Sequence, residues 1–461
     1  MNQYSSLGLF TLVLNFNLGV LIVILPSSVA KAGWLLSMIF LGIITLVSII
    51  TVHFLVEGIT RAFIFSKSCS ENDSSPFLYV NAEKPSEPTL LPLKQVIQIN
   101  DALQVLFSNR AKVVYEVFFY FFEVAVLWNF GSVFTISFSS KVHLPFFSDD
   151  HCDFDTGLPS TSCLYQYYFW LSCFAFVVVF LSLKGMEEQL SVQMLLMFFR
   201  IVVIAAMCIT SFIGIKTGKF GEEPIKNYEP IPSINFDGFG VLFGTAVLSQ
   251  VIHHGIPSLV EPCKKKGSVH KVLSLALLCT GAMYCGVSYL GTKLFGRNIG
   301  PILSLRWMDY TAGHALTSAP LWTRVIAYTV TLFPPIDVVS AFPLGSVTLS
   351  NTLIAGHVKD NNKKKILLAK IASFLPPLLL VATRTHVSII SEIGGLVGFF
   401  ICFIIPAVMV IKSRKMCRNK GIIVTTHYSL FKSLFVPYLT ILIGFGAFFW
   451  SVVLLIKELF V

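Results

Sequence analysis

Charged residues are scarce in this 461-residue chain, in which Asp, Glu, Lys and Arg together make up only 13% of the composition. Soluble domains average about 25% charged residues, so this composition argues against a soluble protein. The sequence also lacks a metal-spaced set of Cys and His, a GxSxG segment and a phosphate-binding loop. We therefore expect a protein that is not an enzyme and that needs neither a cofactor nor a metal.

Long apolar runs take the place of the missing charge. The chain is 55% hydrophobic, its mean hydropathy is +0.76, and runs of about 20 residues with at most one charge recur along it. This pattern predicts an all-α integral membrane protein with about 11 transmembrane helices. The predicted spans cover residues 9–30, 33–56, 113–138, 165–183, 189–214, 238–260, 270–292, 321–347, 366–383, 387–411 and 433–456.

The positive charges predict how the spans are oriented, because basic loops stay cytoplasmic. With a cytoplasmic N-terminus, 22 of the 34 Lys and Arg residues fall on the cytoplasmic side, including the cluster Lys363-Lys364-Lys365. The C-terminus is then exoplasmic or lumenal. The net charge of +10 reflects this topology and attraction to the lipid bilayer, and it does not indicate a nucleic-acid partner. Protein partners and the organelle, plasma membrane or lysosome, stay open.

Loops divide the predicted spans into blocks. A polar stretch rich in Ser, Glu, Asn and Pro is predicted to form a flexible cytoplasmic loop, with a short amphipathic helix from Lys94 to Phe107. The predicted blocks are spans 1–2 (1–56), the cytoplasmic loop (57–112), spans 3–5 (113–215), an exoplasmic loop (216–237), spans 6–10 (238–411), and a cytoplasmic loop with span 11 (412–461). Of ten cysteines only Cys152 and Cys163 fall in an exoplasmic loop, where an oxidising compartment favours a disulfide.

Spans one and six carry polar residues, glycine or proline near their middles. Span one has Asn15, Asn17 and Gly19, and span six runs from Ser249, Gln250, His253 and His254 to Pro257. Such residues interrupt helices at the midplane of secondary transporters, where bare amides suit a carboxylate and bare carbonyls suit a cation. The alternative is a proline-kinked helix with packed amides. The matching positions of the two segments favour a five-plus-five inverted repeat with one extra helix.

Ionisable residues at membrane depth are functional candidates, since each costs roughly 2.5 to 3.5 kcal/mol to insert. Glu123, Arg200 and Asp337 lie in predicted spans three, five and eight. Pairing of Arg200 with Glu123 is the structural alternative to a role in ion coupling. For Asp337, which follows a Pro-Pro pair, capping of the backbone is the alternative to ion binding. One of His253 and His254 is a candidate proton or substrate switch, with a structural role as the alternative for each.

Several segments resemble the transmembrane protein 104 family, a branch of the amino acid/auxin permease superfamily with a leucine-transporter-like fold. The resemblance is carried by Ala32-Gly33-Trp34, by LFGTAVLSQVIHHGIPSL in span six, by LFPPIDVVSAFPLGSVTL in span eight and by EIGGLVGFFICFIIPAVMV in span ten. It implies an amino acid transporter that works by alternating access, with Na⁺ or H⁺ as the coupling ion. The implied substrate-binding residues are Asn17, Gly19, Glu123, Ser249, Gln250 and His253. The candidate ion-coupling residues are Asn15, Arg200, Asp337 and Ser340.

Span one departs from the pattern of that superfamily, which usually carries a Gly-x-Gly pair at the break. This chain reads Asn17-Leu18-Gly19 and so has a single glycine there. A second glycine would give the backbone more freedom to open. A transport-silent ligand sensor or scaffold of the same fold is therefore the alternative to a transporter.

Overall fold

The computed structural model of the chain describes residues 4–70, 98–142, 152, 160–184, 189–222, 229–357, 362–419 and 433–460. In these ranges the backbone is built of helices joined by turns and loops, as expected where lipid leaves peptide groups no partner except one another. The α-helices are α1 Ser6–Asn17, α2 Leu21–Ala32, α3 Trp34–Ser70, α4 Ile99–Leu106, α5 Asn109–Lys141, α6 Thr161–Lys184, α7 Gln189–Thr217, α8 Phe239–Ser249, α9 Ile256–Val260, α10 Val269–Phe295, α11 Leu321–His357, α12 Lys363–Val381, α13 Val387–Phe399, α14 Ile405–Asn419 and α15 Phe435–Phe460.

The described helices make the chain an integral multi-pass membrane protein. Nine segments are long and apolar enough to cross a bilayer, and a tenth is formed if α1 and α2 count as one bent span. The nine are Trp34–Phe63, Asn109–Lys141, Thr161–Leu183, Leu195–Thr217, Phe236–Val260, Lys266–Phe295, Leu321–Ile354, Val387–Asn419 and Phe435–Lys457. The predicted number of eleven spans is therefore too high by at least one among the described residues.

The missing span is the predicted ninth, at residues 366–383. This segment is helical, as α12, but α12 has 19 residues and begins with Lys363, Lys364 and Lys365, followed by Lys370. The uncharged part that follows is shorter than the roughly 20 residues of a fully apolar span, so α12 is not apolar enough by composition to count as one. Charge near one end therefore removes α12 from the apolar spans, although it packs against α5 and α11 like its neighbours.

Both ends of the segment at residues 57–112, which is predicted to be a flexible loop, are helical. The second span continues as α3 through Ser70, and α4 forms within the stretch predicted to be an amphipathic helix. Glu57 helps to extend α3, because its carboxylate binds Arg61 one turn later at 2.7 Å and Arg414 of α14 at 2.8 Å. Residues 71–97 of the predicted loop lie outside the described residues.

The end of α2 and the segment before α8 are held together by backbone hydrogen bonds. Gly33 ends α2 with a positive φ of 93°, and a side chain there would collide with the carbonyl of Ser233. The amide of Trp34 donates to the carbonyl of Pro232 at 3.2 Å. The amide of Asn235 donates to the carbonyl of Ala32 at 2.7 Å. This contact fixes the start of span six beside the end of span one.

Span six lies at the centre of the bundle and α15 lies at its edge. In the most apolar window of Phe236–Val260, 89% of the residues are buried, against 11% for Phe435–Lys457. The α8 part packs on α13 through glycines: a side chain at Gly244 would overlap the backbone of Glu392, and one at Gly395 would overlap Gly244. Small residues at such a crossing let two backbones approach closely.

Candidate functional site

The first interruption, in span one, lies where the sequence predicts it. Helix α1 ends at Asn17 and α2 begins at Leu21, with a bend of 54° between them. The Leu18 amide closes α1 on the Leu14 carbonyl at 2.8 Å, and the Gly19 amide donates to the Asn17 carbonyl at 3.1 Å. Gly19 lies in open space, since nothing lies within 4 Å of the position of an added Cβ. The predicted break of span one is confirmed.

The second interruption, in span six, is also confirmed. Helix α8 ends at Ser249, residues 250–252 leave the α-helix, and a 3₁₀ turn over His253–Gly255 leads into α9. The carbonyl of Gln250 accepts from the Ser48 hydroxyl of α3 at 2.9 Å. Pro257 lies in the first turn of α9, where a missing N–H removes no helical bond, so it starts a helix rather than kinking one.

The two interruptions meet in the interior of the protein. The Nδ2 atom of Asn17 donates to the Thr280 hydroxyl of α10 at 2.7 Å and to Oε1 of Gln250 at 3.4 Å. The Tyr284 hydroxyl, one turn further along α10, donates to the Asn17 carbonyl at 2.8 Å. Asn17 and Gln250 are 6% and 1% exposed. Two predicted substrate-binding residues therefore touch, and α10 holds one of them in place.

An aromatic contact joins the interruptions a second time. The Phe16 ring lies 5.1 Å from the ring of His254, and its edge lies 2.6 Å from where a Cβ of Gly255 would be. Only glycine leaves room for this ring, so Gly255 allows the end of α1 to rest on the 3₁₀ turn of span six.

Arg200 binds the C-terminal end of α1. Its guanidinium contacts both carboxylate oxygens of Asp337 at 2.7 Å, the Asn15 carbonyl at 2.6 Å and the Asn15 side-chain oxygen at 3.0 Å. The alternative of a pairing between Arg200 and Glu123 is therefore wrong, because α7 turns Arg200 toward α1 and α11. A cation at this helix end is favoured by the helix dipole. Three of the four ion-coupling candidates are brought together, and the fourth, Ser340, donates to the Asp337 carbonyl at 2.9 Å.

Glu123 pairs with a histidine of span six. Its Oε1 atom lies 3.3 Å from Nε2 of His254, which was predicted at the break of span six but not among the substrate contacts. His253, a predicted substrate contact, lies with Nε2 2.8 Å from the Thr51 hydroxyl of α3. Ser249 Oγ donates to its own helix, at the Ala246 carbonyl, 2.8 Å away.

A small cavity opens at the interruption of span one. Its lining includes Gly19, Val20, Arg200, Pro334 and Asp337. The volume open to the centre of a water molecule is about 10 Å³, roughly the space for one water. Nε of Arg200, which lines the cavity, is a buried polar atom without a hydrogen-bond partner, and so are Nε2 of Gln250 and Nδ1 of His253 in the interruption of span six. Unpaired buried donors of this kind call for a further partner.

Sequence reasoning missed the groups that support the site from neighbouring helices: Ser48, Thr51, Thr280 and Tyr284. Thr280 and Tyr284 are spaced by one helical turn on α10, and that spacing was the available signal. Away from the site, a disulfide joins Cys152 to Cys163, the pair predicted from the loop position.

Comparison with known proteins finds relatives along nearly the full length. The chain is 23% identical to the transmembrane protein 104 homolog of Drosophila melanogaster, with 90% of this chain and 89% of the relative covered. It is 22% identical to the homolog of Dictyostelium discoideum, over 96% and 95%, and 23% identical to transmembrane protein 104 of Mus musculus, over 97% and 96%. No protein-family model matches the chain. The relatives support the resemblance to the transmembrane protein 104 family.

Proposed function

We propose that this protein is a secondary active transporter that moves amino acids across a membrane by alternating access, with a cation or proton as the coupled ion. The observation that carries the proposal is the meeting of two interrupted helices through Asn17 and Gln250 inside the bundle. Interrupted helices at the midplane are how secondary transporters form a substrate site between two structural repeats. On this proposal spans one to five and six to ten are inverted repeats, with α12 crossing as the ninth span while its lysines extend to the membrane surface, and the last span is the extra helix.

The chemistry of the interruptions suits a zwitterion. The N-terminal end of α2 offers backbone amides for a carboxylate, and the unwound segment of span six offers carbonyl groups for an ammonium. Asn17, Gly19, Ser249, Gln250 and His253 are the proposed substrate contacts. The unpaired buried donor of Gln250 supports this assignment, since it lies at the junction of both interruptions.

Asn15, Arg200, Asp337 and Ser340 are the proposed ion-coupling group. In the structure, the guanidinium of Arg200 occupies this group. It binds the oxygens of Asn15 and Asp337, which would otherwise suit a mobile cation. The cluster is therefore proposed to tie α1, α7 and α11 together and to be broken and remade during the cycle. A buried pair that breaks and re-forms would suit a conformational switch.

The alternative function, a ligand sensor or scaffold without transport, is favoured by one observation. The cavity at the interruption holds roughly one water, and the second glycine that would loosen span one is replaced by Asn17. A protein that binds an amino acid but does not cycle would show thermal stabilisation by that amino acid without flux.

Uptake into proteoliposomes distinguishes the two. The purified full chain is reconstituted and supplied with a panel of radiolabelled amino acids, with and without sodium and pH gradients. A transporter concentrates at least one of them, and Asn17→Leu abolishes this uptake while Thr11→Val, at an exposed site of α1, preserves it. Stabilisation by an amino acid with no uptake under any gradient would favour the sensor. No uptake together with no stabilisation would contradict both.

The proposed orientation places the N-terminus in the cytoplasm and the C-terminus on the exoplasmic or lumenal side. The lysine clusters of residues 264–266 and 363–365 support it through the preference of basic loops for the cytoplasm. Epitope tags on the two termini test it in intact and permeabilised cells. An N-terminal tag that binds antibody without permeabilisation would overturn the orientation.

A further inference from the structure

Glu123 and His254 form a buried acid–base pair between α5 and the interruption of span six. The Oε1 and Nε2 atoms lie 3.3 Å apart, and the two side chains are 4% and 11% exposed. A carboxyl group and an imidazole at this distance titrate as one unit. The pair carries no net charge when a carboxylate and a neutral imidazole share one additional proton. It carries one negative charge when that proton leaves.

Aromatic rings surround the imidazole. Those of Phe16, Phe119 and Phe122 lie 5.1, 5.6 and 5.4 Å from it, measured between ring centroids. An ionised carboxylate left alone in such an apolar setting is strongly disfavoured. The pair therefore retains its proton while the rings exclude water, and it can release the proton only when the interior opens.

Few other ionisable groups face the pair. Tyr115 of α5 interacts electrostatically with Glu123, and His253 in the turn of span six interacts with His254, while Glu116 of α5 and Cys402 of the π-helical turn at residues 400–404 interact with Tyr115. Helices α11 and α13 contribute glycines at this site. A Cβ added at Gly345 would lie 3.3 Å from Oε2 of Glu123, and one added at Gly398 would lie 3.1 Å from the Phe122 ring. Among the residues that the structure describes, His254 is the ion-pair partner of Glu123, and no Lys or Arg lies within 4.0 Å of its carboxylate.

Movement of the interruptions must act on this pair. Glu123 belongs to the uninterrupted helix α5, whereas His254 belongs to the 3₁₀ turn of span six, against which Phe16 of α1 packs. Separation of the turn from α5 would pull the imidazole from the carboxylate and admit water. Opening is thereby linked to loss of the proton, and closing to its return.

We propose that Glu123 and His254 together bind the coupled proton, which they take from water on one side of the membrane and release on the other as the interruptions open. The inference rests on the proposed transport function, and it replaces the substrate contact that the family resemblance implies for Glu123. No covalent bond other than that to the proton is made or broken: a hydronium ion donates to the pair, and water accepts the same proton on release.

A pH jump on reconstituted protein tests the proton site without any amino acid. Proteoliposomes with the full chain are adsorbed on a solid-supported membrane, and the external pH is stepped while the charge displacement is recorded. The wild-type chain is expected to give a transient current as protons enter the pair. Glu123→Gln and His254→Asn should each lose it completely, and Glu116→Gln, a neighbouring carboxyl outside the pair, should retain it. Size-exclusion profiles confirm that each variant is folded.

Uptake measured on the same vesicles separates this inference from the proposed function. A wild-type transient that is lost in both pair variants supports the proton site, and it does so even if no amino acid is transported and the transport proposal fails. Conversely, amino acid uptake together with a transient that Glu123→Gln leaves unchanged would overturn the proton site and leave transport standing. A wild-type chain that shows no transient also overturns it.

Discussion

Asn17 and Gln250 are separated by 233 positions in the chain, yet their side-chain amides lie 3.4 Å apart where the two interrupted spans meet. Asn17 also donates to Thr280, so one amide joins span one to both span six and α10. A polar residue that ties together three elements of a membrane bundle specifies how they are arranged. It should also matter for stability, because its partners are buried.

Asn17→Leu should lower the thermal unfolding midpoint of the detergent-purified chain. Removal of the amide leaves the Thr280 hydroxyl and Oε1 of Gln250 without this donor, at an expected loss of about 1 to 3 kcal/mol. Thr11→Val is the matched control, because the Thr11 hydroxyl binds only within α1 at an exposed position. An equal midpoint for Asn17→Leu and wild type would mean that the amide contact does not stabilise the bundle.

Asp337→Ala should be more damaging than the loss of an exposed ion pair. Arg200 would remain buried with its charge uncompensated, at an expected loss of about 3 to 5 kcal/mol. The double variant Arg200→Met with Asp337→Leu should recover most of this loss, because no buried charge remains. Glu229→Ala, which breaks an exposed pair with Arg297 at 3.9 Å, should change stability by less than about 1 kcal/mol. Thermal unfolding of the four proteins provides the comparison, and a double variant no more stable than Asp337→Ala would argue against charge burial as the cause.

Alanine at Gly255 should destabilise the protein, whereas alanine at Gly19 should leave its stability unchanged. At Gly255 the new methyl group meets the Phe16 ring, so Phe16 must move and the contact between the interruptions weakens. At Gly19 the methyl group enters open space, so the fold should tolerate it. If backbone freedom at Gly19 matters for opening, Gly19→Ala should slow exchange of a transported amino acid without lowering the unfolding midpoint. Strong destabilisation by Gly19→Ala would contradict the open space.

Gly244→Ala tests the crossing of α8 and α13. Its methyl group would overlap the Glu392 backbone, which forces the helices apart at an expected loss of about 1 to 3 kcal/mol. Gly446→Ala in α15 meets nothing within 4 Å and should be neutral or stabilising by up to about 1 kcal/mol. Thermal unfolding of both variants decides, and a neutral Gly244→Ala would mean that α8 and α13 can separate freely.

Local chemistry made most of the fold predictable. Runs of apolar residues locate the spans, and Asn17, Gly19 and Gln250 locate the interruptions, because amides and glycine weaken a helix at the position where they occur. The predicted ninth span is missing from the apolar spans for a local reason too, since the lysines at its start were treated as a flank but belong to α12 itself.

The pairing of charges was not predictable in the same way. Hydropathy gives the depth of Glu123, Arg200 and Asp337 in the membrane, and at similar depth Arg200 can meet either carboxylate. The choice depends on how each helix is rotated about its axis, which is set by packing against several neighbours at once. Because α7 is rotated toward α1, Arg200 binds Asp337 and Asn15. Glu123 then pairs with His254.

The glycine crossing of α8 and α13 limits which part of span six can swing. Two backbones in such close register must travel as one rigid block, so α8 cannot tilt unless α13 follows. Beyond Ser249 that restraint ends, and α9 is a short lever of only 5 residues attached through a 3₁₀ turn. A gate formed by span six would therefore bend just after Ser249. It would open on the side of the protein where α9 lies, because only this short helix would have to move.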